Sequence, residues 1–184
     1  PIFTYEAWVR PASPNGLTGF RAIVDNALVV QQRWFGTNGT ALRFFDGTEM
    51  ASFNFMTLDS FQHVTVVADG TDVRFYRNGG FISGSPRTFS QITTTFGIGY
   101  TSVNTSLDEY FRGRIDEVRI FNGVRDANWI QTSYNNQFNP GIGGFITNVA
   151  SQQSFTLPGT GVVRTSEIDF DWVPGQSSWG QVIW

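Results

Sequence analysis

The sequence predicts an all-β protein built as an antiparallel β-sandwich. Short runs of residues alternate between apolar and polar side chains, which is the pattern of a strand with one buried face. Asn-Gly and Asp-Gly pairs separate these runs and are typical of tight turns between strands. Aromatic residues make up 16% of the 184 residues and charged residues only 15%, a composition that can fill a β core. Many short strands favour a sandwich over a fold of alternating strands and helices.

The first strand is predicted over residues 2–10. Its odd-numbered positions 3–9 are all apolar, and its even-numbered positions 4–10 form the other face. The next residues, 11–16, contain two prolines and an Asn-Gly pair, which together indicate a turn.

Further strands are predicted from the same alternation and from the turn pairs that bound it. The turn pairs are Asn38-Gly39, Asp46-Gly47, Asp69-Gly70 and Asn78-Gly79. The predicted strands 62–68 and 72–77 are joined by the Asp69-Gly70 turn, so together they are expected to form a hairpin. The remaining strands are expected at 20–24, 28–34, 41–45, 50–55, 96–100 and 113–121.

The run 113–121 changes its apolar face partway along. Ile115 is at an odd position, whereas Val118 and Ile120 are at even positions. One inserted residue resets the alternation of a strand, so a β-bulge is predicted near Asp116-Glu117.

One short helix is predicted near residues 126–134. Asp126 is a suitable N-cap, and Trp129, Ile130 and Tyr134 follow at helical spacing. The apolar side of such a short helix is expected to close one end of the sandwich.

The chain is expected to have two parts, a sandwich over residues 1–138 and an extension over 139–184. Residues 135–144 are rich in Asn, Gly and Pro, which are typical of a linker. The extension then contains strand-like runs at 154–157, 161–172 and 178–184.

Composition excludes several classes of function. The net charge is −3 and there is no basic run, so a nucleic-acid partner is not expected. Cysteine is absent from the sequence, which excludes disulfides and thiolate metal sites. No apolar run approaches the roughly 18 residues needed to span a bilayer, so membrane insertion is not expected.

Four segments together resemble the laminin-G-like branch of the concanavalin A-like lectin/glucanase superfamily, over about residues 2–138. They are Phe3–Pro11, Phe61–Gly70, Gly113–Asn122 and Arg125–Tyr134. The resemblance implies a jelly-roll sandwich and an extracellular or surface-associated location. It also implies a non-catalytic module for adhesion, or for recognition of a glycan or surface protein, within a larger multi-module protein.

The resemblance raises a question about strand pairing. Laminin-G-like domains carry a strand before the Phe3 run that pairs with the closing strand, so one edge of 113–121 is expected to lack its partner strand here. The extension could begin a second β-module, or could complete this sandwich. It could also complete a neighbouring copy, as in a self-assembling subunit of a surface filament or virion.

Ligand candidates follow from the chemistry that the resemblance implies. Sugars stack on exposed aromatic rings, and Trp34, Phe35, Tyr100 and Tyr110 lie in or beside loop-rich segments. No cofactor is required, but the family often binds calcium through oxygen ligands. The candidate calcium ligands are Asp25, Asp108 and Asp116.

An enzymatic alternative depends on Glu167, Asp169 and Asp171. Their spacing resembles the Glu-x-Asp-x-Glu strand of laminarinase-type glycosidases, and alternate strand residues share one face. However, Asp171 stands where that family has Glu, and the motif follows the central hairpin instead of preceding it. The acidic side of an amphipathic strand therefore explains these residues better than a permuted β-glucanase does, and no enzyme is predicted. His63, the single histidine, is expected to make a structural hydrogen bond.

Overall fold

The alternating apolar faces of the strands are buried between two antiparallel sheets. The computed structural model describes residues 2–26, 34–45, 49–88, 96–100 and 109–141, and the side chains of all of these except residues 34 and 49–54. All the described residues belong to Pro1–Asn148, the first of two units into which the chain divides. The predicted β-sandwich with one short helix is confirmed.

The elements are numbered in chain order. The strands are β1 (Phe3–Pro11), β2 (Phe20–Asp25), β3 (Trp34–Asn38), β4 (Ala41–Phe45), β5 (Glu49–Asn54), β6 (Gln62–Ala68), β7 (Asp72–Arg77), β8 (Gly80–Pro86), β9 (Gly97–Ile98) and β10 (Gly113–Phe121), and the helix is α1 (Ala127–Phe138). One sheet, here called the helix-bearing sheet, has the order β10-β1-β6-β7-β8. The opposite sheet has the order β5-β4-β3-β2-β9.

The core lies between the sheets and is rich in aromatic rings. The odd-numbered residues of β1, from Phe3 to Val9, are buried in it, as their alternation predicted. Phe3 stacks on Tyr5 with ring centroids 4.6 Å apart, and Phe44 of the opposite sheet lies 5.3 Å from Phe3. Burying each large apolar side chain stabilises the fold by about 1.5–3 kcal/mol.

Strand β10 pairs with β1 along its length, from Thr4 opposite Phe121 to Pro11 opposite Gly113. The Phe3 run is thus the neighbour of β10 on one side, and β10 is the outermost described strand of the helix-bearing sheet. The expectation that the other edge of 113–121 lacks its partner strand stays a prediction. The role of the extension stays a prediction, since residues 142–184 lie outside the described residues.

The β-bulge predicted in β10 is confirmed. Glu6 pairs with Arg119 and Trp8 pairs with Asp116, so two residues of β10 lie opposite one residue of β1. Glu117, in the bulge, has a φ of +49°, in the left-handed region that non-glycine residues rarely adopt.

Helix α1 begins where the sequence predicted and extends to Phe138. The Asp126 side chain accepts a hydrogen bond from the Trp129 amide at 2.7 Å, which caps the helix. The helix covers the outer face of the helix-bearing sheet, where Ile130 packs on Val67 and Tyr76. It does not close one end of the sandwich, as the sequence had suggested.

Two strands differ from the sequence prediction. Strand β8 was not predicted, because residues 80–86 are rich in Gly and Ser, are largely exposed and lack alternation. Asn78 and Gly79, with φ of 49° and 77°, form a two-residue turn of the type that joins twisted strands, and this turn positions β8. The strand expected at 28–34 falls mostly outside the described residues, and β3 begins at Trp34.

The packing of α1 on the β7–β8 turn predicts a specific loss of stability. A Cβ on Gly79 would lie 3.2 Å from Gln131 Cα and from Tyr134 Cδ1, so Gly79→Ala pushes the helix outward. Gly39 also has a positive φ, 58°, but a Cβ there meets nothing within 4 Å, so Gly39→Ala is a matched control for backbone strain. We expect Gly79→Ala to lower the free energy of unfolding by about 1 kcal/mol more than Gly39→Ala in urea titrations. Equal losses would contradict the close packing of the helix.

Candidate functional site

A fully buried carboxylate lies beneath helix α1. Glu6 is on the outer face of β1, and its Oε1 accepts hydrogen bonds from three side chains. Arg119 Nη1 donates at 2.9 Å, Ser133 Oγ at 2.8 Å and Gln137 Nε2 at 3.3 Å. One oxygen atom thus joins β1, β10 and α1.

His63 lies beside this carboxylate and is also fully buried. Its Nε2 is 3.2 Å from Glu6 Oε1, and its ring centroid is 5.4 Å from Trp8 and 5.8 Å from Tyr134. His63 is therefore part of the packing between sheet and helix. The structural hydrogen bond that the sequence analysis expected is not found at its ring nitrogens among the described residues.

The surroundings of Glu6 keep it ionised. Burial by itself raises the pKa of Glu6, but contacts with His63, Ser133 and Gln137 lower it, and the net pKa is below the usual value of 4.5. At neutral pH the group is a carboxylate that holds its donors firmly.

An open groove of about 590 Å³ lies next to this buried network. It runs between the bulge of β10 and the C-terminal end of α1, and both aromatic and charged side chains line it. The lining residues are Trp8, Phe61, Asp116, Glu117, Arg119, Gln137 and Phe138.

The aromatic part of the groove is a supported stack. Phe138 is 65% exposed and stacks on Tyr134, with centroids 5.2 Å apart and planes 16° apart. Tyr134 stacks in turn on Trp8 at 5.7 Å. Phe61, 42% exposed, adds a second accessible ring. The groove thus offers flat apolar surfaces that are fixed from behind.

The polar part of the groove is fixed by the same network. Gln137 Oε1 accepts from Trp8 Nε1 at 2.7 Å, while its Nε2 donates to Glu6. Arg119 Nη2 donates to Glu117 Oε2 at 2.7 Å. These side chains present amide, carboxylate and guanidinium groups beside the aromatic rings.

Two of the four predicted ligand-binding aromatics belong to β3 of the opposite sheet. Phe35 is fully buried in the core, so its prediction as a ligand platform is corrected: a ring with no accessible face cannot stack on a ligand. Trp34 is the first residue of β3, and its side chain lies outside the described residues.

The other two predicted aromatics, Tyr100 and Tyr110, are exposed by 41% and 47%. The Phe111 amide donates to the Gly99 carbonyl at 2.8 Å, so the segments that carry the tyrosines are neighbours. They form a second exposed aromatic surface, here called the tyrosine surface, whose role in binding stays a prediction.

The predicted calcium ligands are not gathered into one cluster. Asp25 is buried in β2 of the opposite sheet, and Asp116 is exposed on β10 of the helix-bearing sheet. Asp108 lies outside the described residues, and among those described no group of three or more His, Asp or Glu residues could hold a metal ion. Calcium therefore stays a prediction that these residues do not support.

The weak catalytic candidates Glu167, Asp169 and Asp171 also lie outside the described residues. The structure does not test the glycosidase alternative that depends on them.

Sequence reasoning missed the groove, although one signal pointed to it. Glu6 and Trp8 lie on the even-numbered face of the first strand, a face that carries both a large aromatic and a charge. In the helix, Ile130, Tyr134 and Phe138 are spaced four residues apart and so form an apolar side that must pack on another surface. The even-numbered face of the first strand can provide that surface. Phe61 lies just before β6, where no pattern marks it.

The family of the chain follows from comparison with known proteins. A laminin G family model, described as the concanavalin A-like lectin/glucanases superfamily, matches residues 2–131. The chain therefore belongs to the concanavalin A-like lectin/glucanases superfamily, as the four sequence segments had indicated. Among curated protein sequences, none matches the chain.

Solved structures with a similar fold include binding domains. The botulinum neurotoxin type G receptor binding domain shares 15% identity at a TM-score of 0.59, over 74% of this chain and 38% of that one. Domain 4 of AbnA, a GH43 extracellular arabinanase from Geobacillus stearothermophilus in complex with arabinotriose, shares 20% identity at a TM-score of 0.55. The match covers 71% of this chain and 65% of that one. The binding domain of Paraclostridial Mosquitocidal Protein 1 shares 15% identity at a TM-score of 0.56, over 75% of this chain and 38% of that one.

At these identities the likeness concerns the fold alone, and this chain spans less than two thirds of the length of each of those proteins. Within the described residues, no helix is both long and apolar enough to cross a membrane.

The burial of Glu6 predicts a strong and pH-dependent effect on stability. Glu6→Gln keeps the shape but removes the buried charge, which leaves the half-buried guanidinium of Arg119 without its main counterion. We expect the free energy of unfolding at pH 7 to fall by about 3 kcal/mol in urea titrations. Because folding lowers the pKa of Glu6, its contribution is present above the unfolded value of 4.5 and is lost as pH falls through the folded value. The difference between parent and variant should therefore shrink below about pH 4.5.

Glu117→Gln is the matched control, since Glu117 binds the same arginine but its side chain is 53% exposed. This variant should cost less than about 1 kcal/mol at pH 7. Similar losses for the two variants would show that the buried carboxylate does not hold the helix.

Proposed function

We propose that this domain is a non-catalytic glycan-recognition module that acts outside the cell, as part of a larger multi-module protein. The observation that carries the proposal is the groove in which exposed, supported aromatic rings lie beside fixed hydrogen-bonding groups. Membership in a lectin-like superfamily and the fold shared with receptor-binding domains and an arabinotriose-bound domain support it.

The chemistry of the groove suits a sugar. One face of a pyranose or furanose ring is lined by C–H groups and packs on an aromatic ring, while its hydroxyls need both donors and acceptors. Phe138 and Phe61 supply the rings, and Gln137 and Glu117 supply polar groups. Because the network around Glu6 holds these groups before a ligand arrives, little ordering entropy is lost on binding.

The groove is not built like a glycosidase site. A retaining glycosidase needs one carboxylic acid in apolar surroundings and a second carboxylate about 5–5.5 Å from it. Here Glu117 is engaged by Arg119, and Asp116 is exposed to solvent. Binding without turnover is the function that these groups support.

Removing the exposed rings tests the proposal. We expect a glycan array to yield ligands, and the double variant Phe61→Ala with Phe138→Ala to weaken the best of them by about tenfold or more in calorimetry, because both stacking platforms are lost. Neither ring is buried in the core, so the variant should keep its thermal unfolding midpoint within a few degrees.

The matched control is the double variant Tyr100→Ala with Tyr110→Ala, which removes a similar exposed aromatic area from the tyrosine surface. It should bind like the parent. Loss of binding in this control, with the groove variant unaffected, would move the site to the tyrosine surface. An array without any bound glycan would refute the proposed function itself.

A further inference from the structure

The charges around the groove are unequal. Three carboxylates, those of Glu6, Asp116 and Glu117, lie in or directly beneath it, against the single guanidinium of Arg119. His63 would add a positive charge only when protonated. Among the lining side chains and the network directly beneath them, carboxylates therefore outnumber guanidinium groups, and this excess bears on what the groove can bind.

The charge of the arginine is already compensated within the groove. Arg119 Nη1 donates to Glu6 Oε1 at 2.9 Å and to Ser133 Oγ at 3.0 Å, and Nη2 donates to Glu117 Oε2 at 2.7 Å. An acidic ligand would have to compete with Glu6 and Glu117 for this guanidinium, and drawing it away would cost the buried Glu6 its cationic partner, which is unfavourable. Recognition of a sugar acid by a free arginine is thus disfavoured here.

Asp116, in contrast, is open toward a ligand. It is exposed on the rim of the groove, and its Oδ1 accepts the Glu117 amide at 2.8 Å. Within the part of the chain that the structure describes, Asp116 makes no ion pair. Unlike the carboxylate of Glu117, which Arg119 compensates, that of Asp116 is paired with no cation among the described lining residues.

We propose, on the basis of the proposed function, that the groove selects amino-bearing and neutral oligosaccharides and rejects acidic ones, and that Asp116 determines this selectivity. A free amine on the sugar is attracted by the exposed carboxylate, whereas a uronate, sialate or sulfate is repelled by it. Stacking on Phe138 and Phe61 is open to any sugar ring, so it supplies affinity without discriminating among amino-bearing, neutral and acidic sugars.

The test uses an array that carries neutral, amino-bearing and acidic oligosaccharides, probed with the full chain and with the groove double variant. Glycans whose binding is lost in the groove variant define the ligands of this site. We expect them to be amino-bearing or neutral, and we expect the binding of amino-bearing glycans to weaken as salt is raised. If the groove-dependent ligands are mainly acidic, the selectivity is refuted while the proposed function stands. If no glycan depends on the groove, the proposed function fails first.

The charge itself is tested with Asp116→Asn, which keeps the size of the side chain. Binding of amino-bearing ligands should weaken about fivefold, with neutral ligands unchanged and acidic ligands gaining. Asp72→Asn, on β7, makes the same change in net charge and should alter none of these. Equal effects of the two variants would overturn the assignment to Asp116. So would binding that requires added calcium and disappears with EDTA, since a cation would then face the ligand.

Discussion

The structure depends on one buried carboxylate. Glu6 Oε1 receives donors from β10 and from two turns of α1, and His63 approaches it from β6. A buried charge is tolerated only when its partners are in place, so the helix has one favourable position on the sheet. Apolar contacts such as that of Ile130 with Val67 give the helix affinity for this face, but they are not directional. The carboxylate therefore decides where the helix lies.

The same carboxylate accounts for the form of the groove. Gln137 has its amide nitrogen on Glu6 and its amide oxygen on the indole of Trp8, and Arg119 links Glu6 to Glu117. Each of these side chains therefore belongs both to the buried network and to the surface that a ligand would meet. Stability and the form of the groove are coupled here, since a change that loosens Glu6 also loosens the lining of the groove.

Local patterns predicted the parts of the fold that local chemistry determines. The alternation in β1, the change of parity in β10 and the N-cap at Asp126 each report a constraint that acts within a few residues. The groove depends instead on pairs far apart in sequence, such as Glu6 with Ser133 and Trp8 with Gln137. A single sequence contains no local signal for such pairs. Phe35 shows a different limit, because its position in a loop-rich part of the sequence did not reveal that β3 buries its ring in the core.

The bulge in β10 connects these arguments. Its extra residue lets Ile115 and Val118 pack against the same core although they differ in parity, which a regular strand would not allow. Glu117 adopts a left-handed backbone to achieve this, at a cost of order 1 kcal/mol or more. The core could have been filled without that cost by moving one apolar residue along the strand. What the bulge adds is the placement of Asp116 and Glu117 beside Arg119 on the rim of the groove, so the strained residue lies where a ligand-binding role would require it.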